Sequence, residues 1–338
     1  MSTKRSAVLG LFACAALAVL GCGDASSLAD GASDEEPAEL RGKGRIQIVV
    51  SVDWEGRDLE ARNLQAMSDL RGAMPDVRIV QFLNAAYFTK PGADAAEVRA
   101  KIKSTLLPTD ELGLHVHGWK RLVEASGVTF RTRPNFWGRA TVSGDCSYDC
   151  GHEVSIGAYT EPEVEKIIAK SLAVLEQNGF GRAKSFRAGG WMATEPVREA
   201  LVASGIRWDS SAVPREHLAS EISTLPLLDW VGTTWKGTTS TTQPYAIATP
   251  AGTLDELPDN GALADYMTAD DMVAVFRANA DEWAKDPKST RVVGIGFHQE
   301  TAADYVPRVR DAIDRIKAEA KARKVPLSFV STRSVRHP

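Results

Sequence analysis

The segment Glu111-Leu-Gly-Leu-His115-Val-His117-Gly-Trp119 places two histidines at the end of a mostly apolar run. In a β-strand, residues two positions apart point to the same face, so both imidazoles would project together beyond the strand. Imidazole nitrogen is a common protein ligand for zinc and related divalent ions. The spacing therefore predicts a metal site at this strand end, and the alternative is that both histidines are ordinary loop residues.

The chain around this segment alternates short apolar runs with longer runs of helical periodicity. The predicted strands are 46–52, 77–83, 112–116, 185–187, 206–209, 253–257, 292–297 and 327–330. The predicted helices are 58–73, 93–106, 161–178, 197–204, 268–284 and 304–323, with 120–155 and 211–250 irregular. This alternation predicts a parallel sheet with helical crossovers, and roughly seven or eight such units favour a barrel. No glycine fingerprint for a dinucleotide follows the first strand.

Polar side chains follow several of these predicted strands, where the carboxyl ends of barrel strands meet on one face. The residues at these ends are Asp53, Glu55, His115, His117, Arg187, Asp209, Glu256 and His298. Acids, histidines and an arginine at successive strand ends indicate a site rather than surface decoration. Asp209, Glu256 and the nearby Asp259 and Asn260 are consistent with either supporting that site or binding substrate.

The amino terminus predicts export and a lipid anchor. Residues 1–21 form a signal segment, with Lys4 and Arg5 before an apolar run that is too short to span a bilayer comfortably. Its end, Val19-Leu-Gly-Cys22, resembles a bacterial lipobox, in which Cys22 is lipidated; an ordinary secretory signal is the alternative. We expect a lipoprotein tethered to the cell envelope, and Gly23 after Cys22 favours sorting to an outer membrane where one exists. Residues 22–43 are small and polar and predict a flexible tether.

The net charge and the cysteine positions bear on the partners of the protein and on the state of its cysteines. The net charge is −4, with no long basic run, so we expect no nucleic-acid partner. Apart from Cys14 and Cys22, the chain has Cys146 and Cys150 in a polar loop. An exported compartment permits a disulfide, so these two cysteines predict a small bridged loop rather than a metal site.

Four motifs in the folded part resemble those of the polysaccharide deacetylases, the NodB-homology group of carbohydrate esterase family 4. They are Val50-Ser-Val-Asp53-Trp-Glu55, Glu111-Leu-Gly-Leu-His115, Ser185-Phe-Arg187-Ala-Gly-Gly-Trp191 and Gly294-Ile-Gly-Phe-His298. These correspond to the family's first, second, third and last motifs. The family's motif number four is expected at Leu254-Asp-Glu-Leu-Pro258, which matches it only weakly. The resemblance covers roughly residues 45 to 335. It implies one α/β domain over 44–336, a distorted (β/α)7 barrel of the NodB-homology type.

The resemblance also implies a metal-dependent reaction that removes acetyl groups from N-acetylated sugars. It assigns Asp53 as the general base and His115 as a metal ligand. It assigns Arg187 as the partner of the base carboxylate and His298 as the general acid. The implied cofactor is a divalent ion, with zinc expected and cobalt or nickel as alternatives.

Two positions depart from the family pattern. Trp54 stands where the family has a metal-binding acid, and either Glu55 or Asp53 is expected to take that role. Trp119 stands where the second metal histidine is usual, and His117 is the expected substitute. His152 is a reserve ligand.

We therefore predict a lipid-anchored, envelope-located deacetylase that acts on an N-acetylated polysaccharide or oligosaccharide. Trp54, Trp119 and Trp191 are predicted to stack on sugar faces, and ordinary packing is the alternative. Two further alternatives are a carbohydrate-binding barrel without activity and an amidohydrolase that acts on non-sugar amides.

Overall fold

The computed structural model describes residues 44–335. The predicted signal segment 1–21, the predicted tether 22–43 with its predicted lipidation site Cys22, and the predicted domain limit at residue 336 lie outside the described residues. Within 44–335, none of the helices combines the length and apolar character that a membrane crossing requires.

The first strand, β1 (Arg45–Asp53), pairs with three other strands of the sheet. All nine of its residues are buried, and its β-branched run Ile46–Val52 suits a strand that is covered on both faces. The further strands are β2 (Ile79–Asn84), β3 (Glu111–Val116), β4 (Ser185–Ala188), β5 (Trp208–Asp209), β6 (Tyr245–Thr249), β7 (Gly252–Glu256), β8 (Thr290–His298) and β9 (Leu327–Phe329). Their order in the sheet is β6-β7-β5-β4-β3-β2-β1-β8, with β9 paired to the first half of β1.

Helices alternate with these strands. They are α1 (Ala61–Ala73), α2 (Ala95–Lys103), α3 (Lys120–Ala125), α4 (Glu161–Gln177), α5 (Glu195–Ala203), α6 (Arg215–Ile222), α7 (Pro226–Thr234), α8 (Ala269–Lys285) and α9 (Ala302–Arg323). Of these helices, α4, α5, α8 and α9 pack on the sheet. Only β6 runs antiparallel within the eight-strand path, so seven of those eight strands are parallel. The predicted fold class, a distorted (β/α)7 barrel, is therefore confirmed.

The segment 257–264, which follows β7, connects β5 to the edge strand β8. On one side, Leu257 N donates to Asp209 O at 2.8 Å. On the other side, Gly261 N donates to Gly294 O at 2.8 Å, and a bridge pairs Leu263 with Gly296. A Cβ at Gly261 would lie 2.3 Å from Gly294 O, so this closure requires glycine there. The barrel is thus closed by irregular chain, which is why the fold is distorted.

Two regions differ from the predictions. Residues 120–155 contain α3, and 211–250 contain α6, α7 and β6, although both regions were predicted to be irregular. Helices α6 and α7 are each fewer than ten residues long, so their apolar periodicity is too brief to distinguish them from loop.

Candidate metal centre and active site

The register of the parallel strands brings the predicted residues to one end of the barrel. Asp53 at the end of β1 is the partner of His298 at the end of β8. His115 near the end of β3 is the partner of Arg187 in β4. The four residues to which the family resemblance gives roles therefore lie at one carboxyl-terminal edge.

Glu55, His115 and His117 form a compact cluster of potential metal ligands. Their ligand atoms all lie within 4.8 Å of one another. Nε2 of His115 is 3.1 Å from Glu55 Oε1, and Nε2 of His117 is 2.8 Å from Glu55 Oε2. Glu55 follows β1 and shares a face with Asp53, so alternation along the strand carries its carboxylate to the two imidazoles.

The other ring nitrogen of each histidine is held by backbone. His115 Nδ1 donates to Arg187 O at 2.8 Å, and His117 Nδ1 donates to His152 O. Carbonyl oxygen only accepts, so both Nδ1 atoms carry protons, and the Nε2 atoms of both rings face the Glu55 carboxylate. Nε2 of His117 is buried 2.8 Å from Glu55 Oε2.

This arrangement fits a divalent cation. An imidazole nitrogen and a carboxylate oxygen lie this close only with a proton or a cation between them, and metal-binding histidines usually donate their second N–H to a carbonyl or carboxylate. Two imidazole nitrogens and one carboxylate oxygen also form a ligand set that catalytic zinc uses. Glu55, His115 and His117 are therefore the residues present that would hold the ion.

The backbone at Glu55 is fixed by two side chains. Trp119 Nε1 donates to Glu55 O at 2.8 Å, and Asn84 Nδ2 donates to the same oxygen at 3.1 Å. Gly56 follows with φ of 83°, where a Cβ would lie 2.8 Å from Trp119 Nε1. Burial raises the pKa of Glu55, but His117 and His298 outweigh it, so the pKa lies well below its usual range.

Asp53 and Arg187 form a buried ion pair beside this cluster. Arg187 Nη1 donates to Asp53 Oδ1 at 3.1 Å, and Nη2 lies 3.4 Å from Asp259 Oδ1. Ser51 and Ser210 also accept from the guanidinium. Arg187 is therefore enclosed by acceptors, and the partner role predicted for it matches its position.

His298 faces the cluster from β8. Its Nε2 lies 3.5 Å from Glu55 Oε1, and its Nδ1 lies 3.1 Å from Asp265 Oδ2. Burial lowers the pKa of His298, but Asp265 and Glu55 reverse this and raise it to about 10. Asp265 was not predicted, because it lies in the loop after the closing segment and is not at the end of a strand.

The three tryptophans have different positions. Trp54 is completely buried on the face opposite Asp53 and Glu55, where Nε1 donates to Gln81 Oε1 at 2.9 Å, so its predicted role in stacking on sugar is wrong. Trp119 is also buried, and its contact with Glu55 replaces the predicted stacking. Trp191 lines the cavity and donates to Asp259 Oδ2 at 3.0 Å, so it stays a predicted substrate contact.

The loop between β3 and α4 contributes a wall of the site. Cys146 and Cys150 are joined by a disulfide. Lys120 N donates to Cys150 O at 2.9 Å, which ties this loop to the start of α3. His152 is not part of the ligand cluster, because its Nε2 contacts Arg57 and its carbonyl holds His117, so the reserve-ligand role is wrong.

A cavity of about 220 Å³ opens above these groups. Its floor carries Asp53, Glu55 and the histidines at 115, 117 and 298. Its walls include residues that the sequence did not single out. These are Arg57, Phe136, Ile222, Leu225, Leu227, Tyr266, Glu300 and Thr301. The arrangement places acids and imidazoles at the base of a pocket whose walls are mostly apolar, which suits a small group inserted from solvent.

Among known proteins, similarity is found at the level of structure. No family model and no curated protein sequence matches the chain. A Mycobacterium smegmatis protein assigned as a polysaccharide deacetylase aligns at 12% identity and TM-score 0.47, covering 86% of this chain and 94% of its own. The family 4 carbohydrate esterase of Streptomyces lividans, in complex with acetate, aligns at 10% identity and TM-score 0.37, with coverages of 80% and 88%. Puue allantoinase aligns at 13% identity and TM-score 0.47, with coverages of 89% and 92%.

The chain is similar to the polysaccharide deacetylases. These solved structures include members of the group whose motifs the sequence resembles. At these identities the likeness to the polysaccharide deacetylases concerns the fold, and the chemistry has to be argued from the residues of this chain.

Proposed function

We propose that this protein is a metal-dependent hydrolase that removes N-acetyl groups from an amino sugar of a cell-envelope or extracellular polysaccharide. One observation carries the proposal. Two imidazole Nε2 atoms and the Glu55 carboxylate converge beside Asp53 and His298, at the base of an open cavity. Ligands for an ion, a base and an acid are the groups that hydrolysis of an amide requires.

Each residue has a chemical task in this proposal. A divalent ion held by Glu55, His115 and His117 would polarise the amide carbonyl and lower the pKa of water. Asp53 takes the proton of the attacking water, while Arg187 holds its other carboxylate oxygen in place. His298 delivers a proton from Nε2 to the departing nitrogen as the C–N bond breaks, and Asp265 orients its ring through Nδ1. One water is consumed, and acetate and an amine are released.

Metal content and acetate release test the proposal together. The full chain is incubated with zinc, cobalt or nickel, dialysed, and assayed for bound metal and for acetate released from N-acetylglucosamine oligomers. We expect about one ion per chain in the wild type and none in the His115→Ala/His117→Ala variant. His217→Ala is the matched control, because that histidine lies outside the ligand cluster.

Other results would favour the alternatives. Saccharide binding without acetate release under all three metals would indicate a binding protein. Release from non-sugar amides alone would indicate a different amidohydrolase. Absence of bound metal in the wild type would contradict the proposed centre.

We also propose that the protein is lipid-anchored at the cell envelope through Cys22. The lipobox-like sequence Val19-Leu-Gly-Cys22 supports this location. Replacing Cys22 with serine should move the protein from the membrane fraction to the soluble fraction. Equal membrane association of the two proteins would contradict the anchor.

A further inference from the structure

One permanent cation faces the cavity at its mouth. Arg57 is the sole arginine or lysine among the residues that line the cavity, and its side chain is 50% exposed. It lies two residues after Glu55, beyond the turn at Gly56. The guanidinium therefore reaches the rim of the same pocket that holds the proposed metal centre at its base.

His152 holds the guanidinium in position. Arg57 Nη2 lies 2.8 Å from His152 Nε2, and arginine only donates, so Nε2 of the histidine accepts. The proton of this ring is then on Nδ1, 3.2 Å from Glu153 Oε2. Trp119 stacks on the imidazole at 5.4 Å, and Trp137 meets it edge-on at 5.0 Å. A half-exposed arginine is thus held by a histidine whose own side chain is mostly buried.

The guanidinium keeps most of its hydrogen-bonding capacity. Glu300 Oε1 accepts from the backbone N of Arg57 at 2.7 Å, and its Oε2 forms an ion pair with Arg57 Nε at 3.6 Å, which is longer than a hydrogen bond. Within residues 44–335, Nη1 has no hydrogen-bond partner. Of the five N–H donors that a guanidinium carries, the contact with His152 engages one. The others remain available on the exposed side.

We propose that Arg57 binds an anionic group of the substrate, a carboxylate or a phosphate ester, carried by the same amino sugar whose amide is cleaved. A forked guanidinium matches the paired oxygens of such groups. This inference rests on the proposed function for the position of the amide, and it makes the substrate an anionic amino sugar rather than a neutral polymer.

Three small ligands test this specificity. N-acetylmuramic acid carries a carboxylate, N-acetylglucosamine 6-phosphate carries a phosphate, and N-acetylglucosamine is neutral. Dissociation constants are measured by calorimetry on the full chain, both metal-free and zinc-loaded. We expect Arg57→Gln to weaken binding of the preferred anionic ligand by about 10- to 100-fold and to change binding of the neutral sugar by less than about twofold. The anionic ligand that shows the loss identifies the chemical group.

The controls separate charge from structure. Arg62→Gln removes an arginine that is 59% exposed, pairs with Glu60 and Asp304, and lies outside the cavity lining. It should leave all three dissociation constants unchanged. Arg57→Lys keeps the charge and loses the fork, so it should restore part of the lost affinity, and zinc content checks that the centre is intact.

Several results would overturn the inference. They are failure of the wild type to bind either anionic ligand more tightly than the neutral one, equal loss for all three ligands in Arg57→Gln, and equal loss in Arg62→Gln. The metal-free measurements keep this test separate from the proposed function. An Arg57-dependent preference for anions without acetate release would retain the anion site and reject the hydrolase. Acetate release without that preference would retain the hydrolase and reject the anion site at Arg57.

Discussion

Two pairs of acids lie at the carboxyl ends of strands in this barrel, and their surroundings are opposite. Asp53, the last residue of β1, and Glu55, two residues later, line the cavity and face three histidines and Arg187. Asp209 in β5 and Glu256 in β7 are register partners, and both are wholly buried. Burial raises the pKa of Asp209 to about 6 and that of Glu256 well above its usual value, whereas the pKa of Glu55 is lowered.

The difference shows that position at a strand end does not make an acid functional. Asp209 Oδ1 accepts from Ser211 Oγ, and Glu256 Oε1 accepts from Ala212 N at 2.8 Å. The second oxygen of each carboxyl has no hydrogen-bond donor within residues 44–335. One proton shared between the two acids would satisfy both, so we assign this pair to structure. Access to solvent and cationic partners distinguish the first pair from the second.

The largest effect should come from removing one acid of each pair. Asp53→Asn removes the proposed base and should lower kcat by about 10² to 10⁴-fold with zinc still bound, because proton transfer contributes that much. Asp209→Asn should keep kcat within about threefold, since this carboxyl lies outside the cavity lining. Acetate release and zinc content are measured for both variants. Similar losses of activity in the two folded variants would remove the distinction between the pairs.

Replacing Arg187 should leave Asp53 without its ion-pair partner, and within residues 44–335 Asp209 and Glu256 already have none. Arg187→Gln leaves Asp53 and Asp259 buried without their ion-pair partner. Breaking a buried pair in this way typically costs about 3–5 kcal/mol in the free energy of unfolding. Urea denaturation measures the change, and Arg182→Gln is the control, because its ion pair is exposed and worth less than about 1 kcal/mol. Equal stability of the two variants would show that Arg187 does not hold these acids.

The pH dependence of stability should identify the shared proton. In the folded protein the pKa of Asp209 is about 6, above the ordinary value of 3.8, so the folded state binds its proton more tightly. The stabilisation is therefore complete at low pH and is lost as pH rises from about 4 through 6. In the Glu256→Gln variant the side chain at position 256 has no titratable proton. Its amide donates to Asp209 at every pH, so no shared proton is needed.

Urea denaturation at pH 4 and pH 8 tests this expectation. Between these pH values the wild type should lose on the order of 2 to 3 kcal/mol relative to Glu256→Gln. Glu221→Gln, at an exposed position, should follow the wild type. Parallel pH profiles for the wild type and Glu256→Gln would reject the shared proton.

The sequence predicted the fold and the base of the site because both depend on local patterns. Apolar runs located β1, β3, β4 and β8, and alternation along β1 placed Glu55 on the same face as Asp53. The same alternation turns Trp54 to the opposite face, so its burial could have been deduced from the sequence. The prediction that it stacks on sugar gave too much weight to residue type.

Other features depend on contacts between distant parts of the chain. Asp265 reaches His298 across 33 residues of sequence, and only closure of the barrel by 257–264 brings the two together. Arg57 reaches His152 across 95 residues. No local pattern encodes these separations, which is why the orienting acid and the cation at the rim had to come from the structure.

The smallest expected effect compares two buried tryptophans beside the first acid pair. Trp119 Nε1 donates to the carbonyl of Glu55, whereas Trp54 Nε1 donates to Gln81, away from the cluster. Trp119→Phe removes a bond that positions a ligand, so zinc affinity should fall by about tenfold, as changes behind metal ligands typically produce. Trp54→Phe loses a hydrogen bond of similar burial and should lower stability by about 1 kcal/mol while zinc affinity stays within about twofold. Competition with a chelator measures both affinities. Equal weakening by the two variants would mean that general packing, rather than the contact of Trp119 with Glu55, sets the geometry of the centre.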